Sequence, residues 1–141
     1  MRTPWMVGGL VSLLAWTANA EPRVAVEARM YMRDTGELNA PLLKQASSTS
    51  ISNLDYGVRA GELLIDVTVP DGVGERLTVT VKQGKLNAKQ TWKVQVGSAY
   101  GIDVGHHPLL LTPAECGGPL TITAKIGKVT EKRTIDFACS D

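Results

Sequence analysis

The sequence has 141 residues, which is enough for one small domain, and it carries 15 Lys and Arg against 14 Asp and Glu. A protein that binds nucleic acid is expected to show a clear basic excess, whereas the formal net charge here is only +1. The composition therefore argues against a nucleic-acid partner.

The first twenty residues have the pattern of a secretory signal peptide. Arg2 gives a short positive start, an apolar run extends from Trp5 to Trp16, and Ala18-Asn19-Ala20 is a small-x-small cleavage pattern. A run of about twelve residues is too short to cross about 30 Å of hydrocarbon, so no transmembrane anchor is predicted. We expect cleavage after Ala20, a secreted or periplasmic location, and a single domain over residues 21–141.

The loss of Arg2 with the leader leaves fourteen cationic and fourteen acidic residues, so the mature chain is formally neutral. Low net charge gives little electrostatic protection against self-association. The chain is accordingly expected to be a monomer or a weak homo-oligomer.

Apolar and polar residues alternate along the mature chain as they do in β-strands, and helical spacing is almost absent. Met30 and Met32 continue the inward alternation of the first predicted strand and are interpreted as core residues. Strands are predicted at Arg23–Met32, Glu62–Val69, Arg76–Lys82 and Leu86–Val96, with a short one around Leu109–Thr112 and a C-terminal pair.

Two hairpins give testable registers. A two-residue turn at Gln83-Gly84 predicts that Val81 lies opposite Leu86, and Leu77 opposite Gln90. In the C-terminal pair, a turn at Gly127-Lys128 sets the second register. It places Ile126 opposite Val129, Leu120 opposite Ile135 and Gly118 opposite Phe137.

The second register also brings the two cysteines together, because continuing the ladder places Cys116 opposite Cys139. Opposite residues of an antiparallel pair have Cα atoms about 4.5 to 5.5 Å apart, which suits a disulfide. An even cysteine count in an exported domain also indicates a disulfide. A structural disulfide is predicted, and it clamps a terminal hairpin near its open end.

These elements give about seven short strands and predict an all-β fold, an antiparallel β-sandwich that is immunoglobulin-like in the broad sense. It is not a true immunoglobulin domain, since Trp92 precedes both cysteines instead of lying between them. A small closed β-barrel is the competing architecture.

Two segments lack a strand pattern, 34–61 and 97–108, although the first has room for a short strand or helical turn near residues 42–46. The second holds three glycines, an aromatic residue and both histidines, and binding residues concentrate on loops held by a scaffold. The sequence therefore predicts a contact surface on the 97–108 loop, with Tyr100, Asp103, His106 and His107 as candidate binding residues.

The function expected from these features is that of an exported, non-catalytic binding or accessory module. A protein or an envelope polymer is the expected partner, and no cofactor is predicted. No nucleophile elbow is present around Ser98, and no pair of carboxylates is marked by spacing for glycoside hydrolysis, so no catalytic residue is assigned.

Two alternatives remain open. The first is a periplasmic metal-binding sandwich that uses His106 or His107, with Asp103 or a methionine, although adjacent histidines on an extended backbone point to opposite sides. The second is an outward patch of lysines for an acidic partner, although lysines on exposed strand faces also simply keep sheets soluble and unpaired. Its residues are Lys82, Lys85, Lys89 and Lys93.

Overall fold

A computed structural model describes residues 23–32, 35–43, 47–52, 61–69, 74–94 and 105–139. These residues form nine strands, in two sheets of order β2-β1-β4-β7 and β3-β9-β8-β5-β6, and neither sheet closes into a barrel. The predicted all-β sandwich is confirmed. The strands are β1 (Ala25–Met32), β2 (Glu37–Leu38), β3 (Ser48–Ser52), β4 (Glu62–Thr68), β5 (Arg76–Gln83), β6 (Leu86–Lys93), β7 (His106–Leu111), β8 (Gly118–Ile126) and β9 (Val129–Ala138).

Alternation in the sequence becomes burial in the fold. Val, Leu and Ile on the inward positions of β4, β5 and β8 are buried between the sheets, and Met30 joins them as predicted, whereas Met32 at the end of β1 is only half-buried. Since strands expose alternate faces, the intervening residues form two outer faces. No helix among the described residues is long and apolar enough to cross a membrane.

The predicted register of the β5–β6 hairpin is wrong by two residues. Val81 lies opposite Ala88 and Leu77 opposite Trp92, because the turn is at Gly84 and Lys85, with Gly84 at φ +54°. A shift of two keeps every side chain on its predicted face. Gln83 is not part of the turn, because its side chain is buried and is hydrogen-bonded to the backbone of Ala114 and Gly118.

Gln83 holds the connection between β7 and β8. Its Oε1 accepts a hydrogen bond from the backbone N of Ala114 at 2.7 Å, and its Nε2 lies 3.2 Å from the carbonyl oxygen of Ala114 and 3.3 Å from that of Gly118. Gly117 passes so close that a Cβ there would lie 2.6 Å from Nε2. This amide therefore fixes the turn that carries Cys116.

The C-terminal hairpin has the predicted register throughout, including Leu120 opposite Ile135 and Gly118 opposite Phe137. Cys116 and Cys139 form the predicted disulfide, with Cα atoms 4.8 Å apart. Cys116 is in a turn with φ +52°, so the ladder ends before it. A disulfide is compatible with an oxidising, extracellular compartment.

Two predicted loops contain strands. In the 34–61 segment, β2 pairs with β1, and the Ser-rich β3 pairs in parallel with β9, with Ile51 buried. The chain is therefore not purely antiparallel. At 42–46, residues 42 and 43 form a bend instead of a strand or helical turn, and residues 44–46 lie outside the described part of the chain. In the 97–108 segment, β7 already begins at His106, and an edge strand tolerates the missing N–H of Pro108.

A candidate binding surface on the four-stranded sheet

The two histidines begin β7 and lie on opposite faces of the four-stranded sheet. His106 is opposite Thr68 of β4 and is exposed, whereas His107 is opposite Val67 and is buried. This is the divergence expected of neighbours on an extended backbone. The imidazoles therefore do not converge on one ligand.

His107 is part of the packing between the two sheets. Its Nδ1 lies 3.0 Å from the carbonyl oxygen of Val67, and because a carbonyl only accepts, Nδ1 carries the proton of this bond. The ring packs at a tilt against Trp92 of the other sheet, with centroids 5.5 Å apart. A side chain that is 5% exposed and bonded in this way is a structural residue.

His106 forms a polar cluster on the outer face with two residues of β4. Its Nδ1 lies 2.6 Å from Oδ2 of Asp66 and 3.3 Å from Oγ1 of Thr68. The side chains of His106 and Asp66 are 50% and 31% exposed, so solvent screens this pair. The other carboxylate oxygen of Asp66, Oδ1, is buried and has no hydrogen-bond partner among the described residues.

This cluster is not arranged like a nucleophile–histidine–carboxylate relay. Such a relay uses both ring nitrogens, one facing the carboxylate and the other facing the nucleophile. Here Thr68 and Asp66 both approach Nδ1. Within the described ranges there is also no group of three or more His, Cys, Asp or Glu side chains that could hold a metal ion.

An apolar stripe crosses the same outer face. Leu38 of β2 lies opposite Tyr31 of β1, and Leu64 of β4 lies opposite Leu110 of β7. Tyr31 and Leu64 are diagonal neighbours in the β1–β4 ladder, where Tyr31 is directly opposite Glu62 and Leu64 is directly opposite Arg29. These four residues, which we call the apolar stripe, therefore reach across all four strands.

The stripe is exposed at both ends. Leu38 is 49% exposed and Leu110 is 51% exposed, and they are the exposed large hydrophobics among the described residues. Single exposed leucines are ordinary, but apolar residues gathered on one sheet face mark an interaction site more often. The stripe therefore distinguishes this face from the rest of the described surface.

Charged residues border the stripe. Arg29 is paired with Glu27 at 2.5 Å, Glu62 flanks Tyr31, and Asp66 faces His106. On β1 and β4 this border holds three carboxylates and one guanidinium, so these two strands make it acidic when His106 is neutral. The sheet face thus combines the apolar stripe with a charged, acidic rim, in which Arg29 and Glu62 lie directly opposite Leu64 and Tyr31.

The predicted site residues divide into three groups. His106 is exposed on this face, His107 is structural, and Tyr100 and Asp103 lie outside the described residues, as does residue 98. Sequence reasoning missed Asp66 and the apolar stripe. Alternation does predict that Asp66 points outward from β4, but nothing in the neighbouring sequence indicates that β4 pairs with β7.

No family model matches this chain, and no curated protein matches its sequence.

Proposed function

We propose that this chain is an exported, non-catalytic binding module whose contact surface for a protein partner is the apolar stripe together with the His106 edge. The observation that carries this proposal is that the exposed Leu38 and Leu110 lie on one sheet face, with Tyr31 and Leu64 at diagonal positions between them. Exposed apolar residues grouped on one face are often covered by a binding partner.

The rim supports a protein as the occupant of this surface. Protein interfaces commonly place apolar and aromatic side chains at the centre and polar groups around them. Tyr31 and Leu64 lie centrally, with Glu27, Arg29 and Asp66 beside them. The acidic rim favours a partner whose own contact patch is apolar with basic borders.

Gly105, the described residue that precedes β7, lies beside this surface. Gly105 is bonded through its carbonyl oxygen to the N–H of Val69, so the chain enters the sheet directly beside His106. Residues 97–104 lie outside the described part of the chain. We keep Tyr100 and Asp103 within the proposed contact surface on the sequence argument alone.

Export is supported by the leader pattern of residues 1–20 and by the Cys116–Cys139 disulfide. Intact mass measurement of the protein made in its native host tests this part. We expect a chain that begins at Glu21 and carries two fewer hydrogens than the dithiol. A chain that retains residues 1–20, or two free thiols, would refute export.

Binding is tested by comparing two single-charge variants. Leu110→Asp places a carboxylate in the stripe, and Thr130→Asp places the same group on the outer face of the other sheet, where Thr130 is exposed. Proteins of the exported fraction are captured on each immobilised variant and quantified by mass spectrometry. We expect at least one protein to be retained by wild type and Thr130→Asp but lost by Leu110→Asp; equal retention by all three forms contradicts the proposal.

A further inference from the structure

The outer face of the five-stranded sheet carries cations that the low net charge conceals. Six exposed cationic side chains project from β5, β6, β8 and β9, whereas Asp136 is the one carboxylate that the described strands place on this face. We call this surface the basic face. Its cations are Arg76, Lys82, Lys89, Lys93, Lys125 and Lys132.

These cations do not neutralise carboxylates elsewhere in the described ranges. The ion pairs Arg29–Glu27, Arg133–Glu131 and His106–Asp66 all lie off the basic face. Three of the described carboxylates, Glu27, Glu62 and Asp66, project from the opposite side of the sandwich. Charge is therefore segregated between the two outer faces, which the near-neutral composition does not reveal.

Hydroxyl groups fill the space between the cations. One row across the sheet runs from Lys89 through Thr80 and Thr123 to Lys132. Because neighbouring strands are about 4.8 Å apart and this row spans three such spacings, the Cα atoms of Lys89 and Lys132 are about 14 Å apart. The threonines of the face are Thr78, Thr80, Thr91, Thr121, Thr123, Thr130 and Thr134.

This pattern is more ordered than lysines scattered for solubility. Threonines lie directly opposite one another in three rows, Thr80 with Thr123, Thr121 with Thr134, and Thr78 with Thr91, whose Oγ1 atoms are 3.2 Å apart. Each hydroxyl can both donate and accept a hydrogen bond. A sheet face of this kind suits an extended ligand that carries spaced anionic groups and hydroxyls of its own.

We propose that the basic face binds an acidic polysaccharide that lies across the strands. Its sulfates or carboxylates meet the lysines, and its hydroxyls bond to the threonines between them. Single-stranded nucleic acid usually requires aromatic stacking, and an amphipathic element that enters a bilayer requires apolar side chains. The described residues of the basic face include neither an aromatic nor a large aliphatic side chain, so these two occupants fit less well.

This proposal uses the side of the sandwich opposite the apolar stripe and does not depend on it. Binding of the purified protein to heparin and to polygalacturonate is measured by calorimetry at low and at physiological salt. We expect binding to at least one of them, with an affinity that falls as salt rises, because cation–anion contacts are screened.

Paired variants then locate the contact. Lys89→Gln/Lys132→Gln removes two charges from the basic face, and Lys85→Gln/Lys128→Gln removes two from the hairpin turns. We expect the first pair to weaken binding about tenfold and the second about threefold or less, since each lost contact removes part of the ionic attraction. Lys89→Arg/Lys132→Arg keeps the charge and is expected to retain most of the affinity.

Three results overturn the proposal. These are failure of both polysaccharides to bind, an equal loss of affinity in the two glutamine pairs, and tighter binding of single-stranded DNA or of anionic phosphatidylglycerol vesicles than of either polysaccharide. The Leu110→Asp variant serves as an independent control, because it leaves the basic face intact and is expected to bind polysaccharide normally.

Discussion

Nδ1 of His106 lies 2.6 Å from Oδ2 of Asp66, although the two residues are 40 positions apart in the sequence. The pairing of β7 with β4 brings them together on an outer face, while the same pairing buries the neighbouring His107. One edge strand thus supplies both a surface residue and a core residue from consecutive positions.

The two histidines should respond differently to truncation. We expect His107→Ala to lower the free energy of unfolding by about 2 kcal/mol, because it removes a buried hydrogen bond and the packing against Trp92. His106→Ala should change it by less than about 1 kcal/mol, since the pair with Asp66 is solvent-exposed. Urea unfolding followed by tryptophan fluorescence measures both; equal losses would contradict the assignment.

Gln83 should be more important to stability than its place beside a turn suggests. Gln83→Leu leaves the N–H of Ala114 and the carbonyls of Ala114 and Gly118 without this partner. We expect a loss of about 2 kcal/mol in the free energy of unfolding, because the buried amide supplies several hydrogen bonds to this turn, while the carbonyl of Ala114 keeps its bond from the N–H of Gly117.

Gln90→Leu is the matched control, since Gln90 is an exposed glutamine of the adjacent strand. It is expected to stay within about 0.5 kcal/mol of wild type. Thermal unfolding of both variants distinguishes the roles, and a Gln83→Leu protein as stable as the control would show that the amide does not hold the turn.

The disulfide should stabilise the fold without being required to specify it. Cys116 and Cys139 are separated by 23 positions, so their removal as Cys116→Ser/Cys139→Ser should cost about 3 kcal/mol in the chain-entropy account. The far-ultraviolet circular dichroism of the variant at low temperature should remain that of a β protein. A variant that is unfolded at every temperature would mean that the core alone cannot hold the two sheets.

Both hairpins turn at a Gly-Lys pair, yet the sequence predicts the register of only the C-terminal one, because a buried polar residue, Gln83, precedes the other turn. Gly127-Lys128 sets the C-terminal register correctly, including the approach of Cys116 to Cys139. Gln83 looks like a turn residue by composition, yet its amide is satisfied by backbone groups from another connection. That contact is non-local, and nothing near Gln83 in the sequence indicates it.

The same reasoning explains why the candidate surface was only partly predicted. The glycine-rich segment 97–108 draws attention to His106 in the sequence. The apolar stripe, however, combines residues from four strands, and the local sequence does not indicate the order of those strands in the sheet. Leu38 belongs to a strand of two residues, and β3 is a polar edge strand. Short or polar edge strands have too little alternation to be detected.

The central claim is that the apolar stripe meets a protein partner, and site-specific photo-cross-linking tests it most directly. A benzoylphenylalanine is introduced at Leu110, at Leu38 or, as a control, at Thr130, and the exported protein is irradiated in its native host. We predict that positions 110 and 38 cross-link to the same protein and that position 130 does not. Cross-linking of that protein from position 130 as efficiently as from 110, or no cross-link from either stripe position, would contradict the claim.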